Sequence, residues 1–429
     1  MKLYYATQLN REDRKLLLIR PWSVDQSLRE TVASICLDVK QRGDDALSEY
    51  GKRFDGVPVT EFRVTPAEIE SARSNTPGAL IASIERAARN IRAFHAAQIQ
   101  HETRTETEPG VVCWRQQRSI ETVGLYVPAG SAPLPSTVLM LGIPALLAGC
   151  TRIVLCSPPK SNGSIDPAVL VTAAHLGIRE IFKVGGAQAI AAMAYGTQSI
   201  PKVEKIFGPG NQYVTEAKRF VSSDPNGAAI DLLAGPSELL IIADDSAKAA
   251  IVAADLLSQA EHDPQSQVVL LTDSKSLAEE TLNEIRLQLG SLPRNEIAAK
   301  SLDKSYMIVM QSIEEAIGFS NTYAPEHLLI NTREPEALVS QIQNAGSVFL
   351  GPFAPVTAGD YASGTNHTLP TGGSARWMSG ISVDSFQKSM TFQSITRDGL
   401  QRLAPTLTTL AQAEGLEAHS HAVTRRLEG

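Results

Sequence analysis

Three segments of the chain bring together side chains that could bind a metal or move protons. In Gln259-Ala260-Glu261-His262 an amide and an imidazole stand three residues apart at the end of a helix predicted over 247–262. That spacing places both on one helix face, and an amide oxygen and an imidazole nitrogen can each hold a divalent cation. Taken alone, the segment reads more readily as a polar helix end. In Tyr323-Ala324-Pro325-Glu326-His327 a carboxyl and an imidazole are adjacent, just before the apolar run Leu328-Leu329-Ile330. Histidine titrates near working pH and a carboxylate can activate water, so Glu326 and His327 are a candidate pair for proton transfer. A polar loop before a strand is the plain alternative. The Gly-rich loop 358–367 carries Asp360 and His367. Loops on a rigid sheet often carry function; here ligand and solvated-loop readings stay equally open.

Of the other histidines, His95, His101 and His175 fall in helical or linker contexts and are expected in solvated or capping roles. His419 and His421 lie in the C-terminal tail. The four cysteines, Cys36, Cys113, Cys150 and Cys156, form no CxxC pair, which suits reduced thiols in a cytoplasmic protein. Cys150 and Cys156 bracket a buried-strand pattern, and core packing is expected of both.

The elements that must position these groups follow from the periodicity. Residues 1–118 read as mostly helical, with apolar spacing near 3.6 over 25–50 and 66–98 and no long strand pattern. From 119 the texture alternates. Strands are expected at 119–127, 151–156, 180–184 and 203–207, and helices at 137–148, 166–176, 188–196 and 211–222. A second unit of similar rhythm begins at 239, with strands at 239–243, 267–272, 307–310, 327–331 and 347–350 and helices between them. This alternation is the signature of parallel sheets covered on both faces. After Gly380 the pattern ends, and 396–414 is expected to be mostly a helix that must pack against something, a second subunit included.

Glycine-rich turns are expected where strands end, at Pro128-Ala129-Gly130, Gly185-Gly186-Ala187-Gln188, Gly208-Pro209-Gly210-Asn211 and Gly235-Pro236-Ser237-Glu238. Glycine lets the backbone approach a ligand, and a following helix N-terminus favours anions. No GxGxxG fingerprint is present, so these loops predict an atypical nucleotide site or ordinary tight turns.

Composition narrows the class. With 429 residues, 43% hydrophobic and 20% charged, the chain can form two or three domains with a large core. A net charge of -7 supplies no basic excess to neutralise phosphates and argues against a nucleic-acid partner. No apolar run approaches the roughly 18 residues of a membrane span. The stretch MKLYYATQLNREDRK lacks an apolar core and is not expected to act as a secretory signal, so a cytoplasmic location is expected.

Read together, the segments SAPLPSTVLMLGIPALLAGC, VGGAQAIAAMAYGT, KIFGPGNQYVTEAKR, DLLAGPSELLIIAD, DLLSQAEHDPQSQVVLLT, NTYAPEHLLI, GSVFLGPFAP and AGDYASGTNHTLPT resemble the histidinol dehydrogenase family, from about residue 19 to the tail. The resemblance implies an α/β fold of two incomplete Rossmann-like domains, at 119–236 on the dinucleotide side and 237–378 with the zinc and acid–base residues. A helical N-terminal region (1–118) and a helical tail (379–429) complete it. It implies zinc, one per subunit, held by Gln259, His262, Asp360 and His419, and an acid–base pair of Glu326 and His327. Substrate contacts are implied for Ser237, Gln259, His262, His327, Asp360, Glu414 and His419, and dinucleotide contacts for Tyr126, Gln188 and Asn211. Every one of these positions carries the family's residue; Asp263-Pro264 departs from the family's frequent Gly-Pro and should alter only a turn.

The implied reaction is the NAD-dependent, four-electron oxidation of L-histidinol through L-histidinal to L-histidine, the last steps of histidine biosynthesis, in an intertwined homodimer. His327 would act as base, Glu326 would activate water, and zinc would orient the substrate. A nucleophilic Cys150 is the competing mechanism. A zinc hydrolase and a non-catalytic metal-binding α/β protein are the competing functions.

Overall fold

Strands such as Glu238–Ala243 (ELLIIA) and Gln267–Thr272 (QVVLLT) are apolar on consecutive residues because both of their faces are covered. Leu239, Ile241 and Ala243 enter one hydrophobic cluster, and Leu240 and Ile242 enter another on the opposite face. Each such fully buried Leu or Ile contributes about 1.5–3 kcal/mol. The computed structural model describes residues 1–21, 25–99, 102–129 and 133–428. Of the positions named above, His101 and Gly130, with Ser131 and Ala132 of the first family segment, lie outside the described residues.

Two parallel sheets organise the molecule. The first has Thr122–Tyr126, Arg152–Ser157, Glu180–Lys183, Lys205–Phe207 and Ala229–Ile230, lying side by side in the order third, second, first, fourth, fifth. The second has Glu238–Ala243, Gln267–Thr272, Tyr306–Val309, His327–Asn331 and Ser347–Leu350 in that same order. The expected pair of Rossmann-like units is thus present, with the expected strands within a few residues of those read from the sequence and one unexpected strand, Ala229–Ile230, at the edge of the first sheet.

Several expectations need correction. The N-terminal stretch is not free of strands. Lys2–Tyr5 adds to the edge of the second sheet, parallel to Tyr306–Val309. Arg104–Glu108 and Val111–Ser119 form an antiparallel hairpin. The region after Gly380 also contains a strand, Gln387–Ile395, which pairs antiparallel with Val111–Ser119 along its whole length. Its Phe392 stacks on Trp114 with ring centroids 5.4 Å apart. Arg104–Glu108 (RTETE) is polar throughout and Gln387–Ile395 (QKSMTFQSI) is mostly polar, so no sustained apolar alternation marked them. Between the last two strands of the second sheet the connection is a 3₁₀ segment, Pro335–Gln341, rather than an α-helix. His95 is neither solvated nor a cap: it is fully buried on the helix Gly78–Ala96, its Nδ1 3.1 Å from Gln98 Oε1.

The tail begins on the hairpin. Thr396 N–H donates to Gly110 O (2.9 Å) and Arg402 to Pro109 O (2.9 Å). It continues as the helices Arg397–Ala413 and Glu417–Glu428, which pack on each other. No described helix is long and apolar enough to cross a membrane.

Candidate active site

The two sheets meet the site with opposite edges. In the first sheet the Gly208-Pro209-Gly210-Asn211 loop follows the strand Lys205–Phe207 and so lies at its carboxyl end, the usual place for ligands. In the second sheet Ser237, Glu326 and His327 come just before or at the first residue of their strands, at the amino edge. Gly235-Pro236-Ser237-Glu238 therefore leads into a strand and does not, as expected, close one. A cleft of about 640 Å³ lies between these edges. Its walls include Asn211 from the first unit and Ser237, Gln259, His262, Glu326, His327 and Asp360 from the second.

The helix carrying Gln259 is Ala249–Ala260, shorter than expected. His262 sits in the turn beyond it, because Pro264 disfavours helix in the residue before it. Both side chains still reach the cleft. Gln259 is buried and His262 exposed. Asp360 comes from the short helix Val356–Tyr361. Burial disfavours its ionised form, but the His327, His367 and His262 imidazoles offset that and hold its pKa below the usual range.

Glu326 and His327 are both buried at the start of the strand His327–Asn331. Ala324, two residues before Glu326, has φ 54°, a left-handed conformation at the end of the helix Ile313–Tyr323 that turns the chain sharply into the site. Glu326 Oε2 accepts from the Glu238 N–H at 2.8 Å. His327 Nδ1 lies 3.1 Å from the Glu238 carbonyl. A carbonyl can only accept, so Nδ1 carries the hydrogen and Nε2 is left as the basic nitrogen. Nε2 is buried without a hydrogen-bond partner among the described residues, 3.7 Å from Asp360 Oδ1. Burial disfavours the imidazolium, yet the flanking Glu326 and Asp360 carboxylates outweigh it and raise the His327 pKa. Burial raises the pKa of Glu326, and His327 partly opposes this.

The remaining expected site residues are placed as follows. Tyr126 and Gln188 are buried outside the cleft lining. The Tyr126 hydroxyl accepts from the Gly186 N–H (3.0 Å), and burial pushes its pKa up to about 12. Asn211 caps the helix Gln212–Ser222, its Oδ1 accepting from Tyr213 and Val214 N–H. Glu414 and His419 are exposed on the tail and do not line the cleft. Within one chain, then, Gln259, His262 and Asp360 come together and His419 does not. No group of three or more His, Cys, Asp or Glu stands ready for a metal among the described residues. Cys150 packs in the core, its Sγ 3.8 Å from Phe386 O, and burial pushes its thiol up to about 11. That is the wrong direction for a nucleophile.

Sequence reasoning missed two contributors, Glu238 and Arg20, and left a third, His367, open. Glu238 holds both members of the acid–base pair through its backbone, and Arg20 pairs with its carboxylate. His367 lines the cleft, with Nδ1 2.8 Å from Asp360 O and Nε2 3.3 Å from Thr137 Oγ1. The loop it shares with Asp360 had marked His367; Glu238 and Arg20 had no local signal.

A cleft between two parallel sheets, lined by groups of the kind that can hold a metal and by a buried carboxyl–imidazole pair, suits an α/β enzyme. The family model described as histidinol dehydrogenase matches residues 19–427, and the chain belongs to that family and is a dehydrogenase. It is 51% identical over 429 residues to the histidinol dehydrogenase of Photobacterium profundum, covering 100% of this chain and 96% of the relative. It is 52% identical over 412 residues to that of Bacteroides fragilis, covering 96% of each. The crystal structure of histidinol dehydrogenase from Elizabethkingia anophelis superposes with a TM-score of 0.96 at 50% identity, covering 100% of this chain and 98% of that one.

Proposed function

We propose that this enzyme oxidises L-histidinol through L-histidinal to L-histidine with NAD, closing histidine biosynthesis. The observation that carries the reading is the setting of His327, a residue of the cleft lining: its Nδ1 lies 3.1 Å from Glu238 O, an acceptor that calls for the ring hydrogen there, which leaves Nε2, 3.7 Å from Asp360, as the basic nitrogen.

In the first oxidation His327 Nε2 takes the hydroxyl proton of histidinol while a carbon-bound hydride passes to NAD. The aldehyde then needs a second oxygen. Glu326, buried and oriented by the Glu238 N–H, takes a proton from the water that adds to the carbonyl carbon. As that water adds, His327 returns its proton to the carbonyl oxygen, and so it can serve again as base when the hydrated carbon gives its hydride to a second NAD. Ser237 lines the cleft and is a candidate hydrogen-bond partner for the substrate. Asn211, at the carboxyl edge of the first sheet, is the candidate NAD contact within the cleft.

Zinc fits the donor set. An amide oxygen, an imidazole and a carboxylate held ionised line the same cleft, and such N/O donors suit zinc. Gln259, His262 and Asp360 would hold it with His419. Bound there, zinc would clamp the imidazole and amine of histidinol and share the charge of Asp360. Because Glu414 and His419 of one chain stand away from its own cleft, the reading includes a homodimer in which each tail completes the partner's site.

Incubation with L-histidinol and NAD, following NADH absorbance, tests the reading. NADH formation supports it. A zinc hydrolase or a non-catalytic metal-binding protein would form none.

A further inference from the structure

Glu238 is the first residue of an inner strand of the second sheet, and its backbone grips both reacting side chains, N–H to Glu326 and C=O to His327. Its own side chain is 1% exposed. There it meets Arg20 in a two-pronged ion pair, Nε to Oε1 at 2.8 Å and Nη2 to Oε2 at 3.0 Å. Gly372 N–H donates to the same Oε1 at 2.9 Å.

Arg20 does more than neutralise Glu238. Its Nη2 donates to Tyr323 O (2.8 Å) and its Nη1 to Leu18 O (3.1 Å), and its guanidinium carbon lies 3.4 Å from the centre of the Tyr323 ring. Tyr323 is fully buried, with its hydroxyl donating to Gln267 Oε1 at 2.8 Å. It is also the last residue of the helix whose left-handed exit at Ala324 delivers Glu326 and His327. One guanidinium therefore joins the strand start that orients the pair to the helix end that delivers it.

We infer that Arg20 is a positioning residue for the reaction, acting through Glu238 and Tyr323 to fix the aim of Glu326 and the tautomer and tilt of His327. This rests on the roles proposed above for that pair. Arg20 touches neither substrate nor metal donors in this account, so its loss should change turnover and leave binding intact. A displacement near 1 Å at reacting groups costs about 100-fold in rate. Lysine keeps the charge but cannot make the two-pronged contact.

The experiment compares Arg20→Met and Arg20→Lys with the native enzyme in both half-reactions, with thermal melting in parallel. Expected for Arg20→Met is a kcat lower by about 100-fold from histidinol and from the aldehyde, with both KM values within about twofold. Arg20→Lys should recover part of that kcat, and it decides the matter alone if Arg20→Met does not fold. The inference is overturned if kcat stays within about twofold of native, if KM rises at unchanged kcat, or if the loss only tracks the unfolded fraction. Glu326→Gln and His327→Asn run alongside. Their inactivity with an unaffected Arg20→Lys overturns this inference alone, whereas their full activity overturns the proposed roles as well.

Discussion

Lys218 and Asp231 form a buried ion pair whose two ends grip the same glycine. Lys218 Nζ donates to Gly208 O at 2.9 Å, and Asp231 Oδ2 accepts from Gly208 N–H at 2.8 Å. Gly208 opens the loop that brings Asn211 to the cleft. Its φ is +124°, and a Cβ there would lie 2.1 Å from Tyr126 O, so neither its backbone nor its surroundings admit a side chain.

Lys218→Met should therefore be costly. It leaves Asp231 buried without its counter-charge, and breaking a buried pair this way costs about 3–5 kcal/mol. Urea unfolding should show that loss, and steady-state kinetics should show a raised KM for NAD with a smaller change for histidinol. A variant as stable as the native protein would contradict the structural role.

Chelation should abolish turnover and spare the fold. Gln259, His262, Asp360 and His419 come from separated segments, while the sheets keep extensive apolar cores on both faces without them. A metal is then not the main source of stability. Circular dichroism before and after chelation should coincide while activity is lost; global unfolding would be the contrary outcome.

His327→Asn and Glu326→Gln should separate the two oxidations. In the proposed scheme one base serves both steps, so His327→Asn should lower each by about 100-fold or more. Only the second step consumes water, so Glu326→Gln should chiefly harm aldehyde oxidation. Assays started from histidinol and from histidinal make the comparison, and equal losses for both variants in both assays would refute the division.

The parallel sheets were legible because strands buried on both faces are unbroken apolar runs, as in Leu239 to Ile242. The motif segments likewise marked Glu326, His327, Gln259, His262 and Asp360, all of which line one cleft. Hidden elements lacked any local signal. Lys2–Tyr5 pairs with Tyr306–Val309, some three hundred residues away, and Gln387–Ile395 is mostly polar. The Arg20–Glu238 pair spans 218 residues and is created only by the fold. The amino-edge position of the second half of the site was hidden too, because sequence periodicity locates strands but not which end of a sheet faces a neighbour.

Sharing of sites between subunits should appear as complementation. His419 is exposed on a tail that leaves its own cleft without it. Inactive His419→Asn and inactive His262→Asn chains, mixed under conditions that allow subunit exchange, should regain activity, since a hybrid dimer then holds one intact site. If each tail served its own chain, every site would keep one lesion and the mixture would stay inactive.

The central claim is that one active site carries out two successive hydride transfers to NAD, from alcohol to acid. Its most direct test is the ratio of NADH formed to L-histidine produced when the metal-loaded enzyme consumes L-histidinol. The account predicts two NADH for each L-histidine. A single NADH with accumulation of the aldehyde, or no NADH at all, would contradict it.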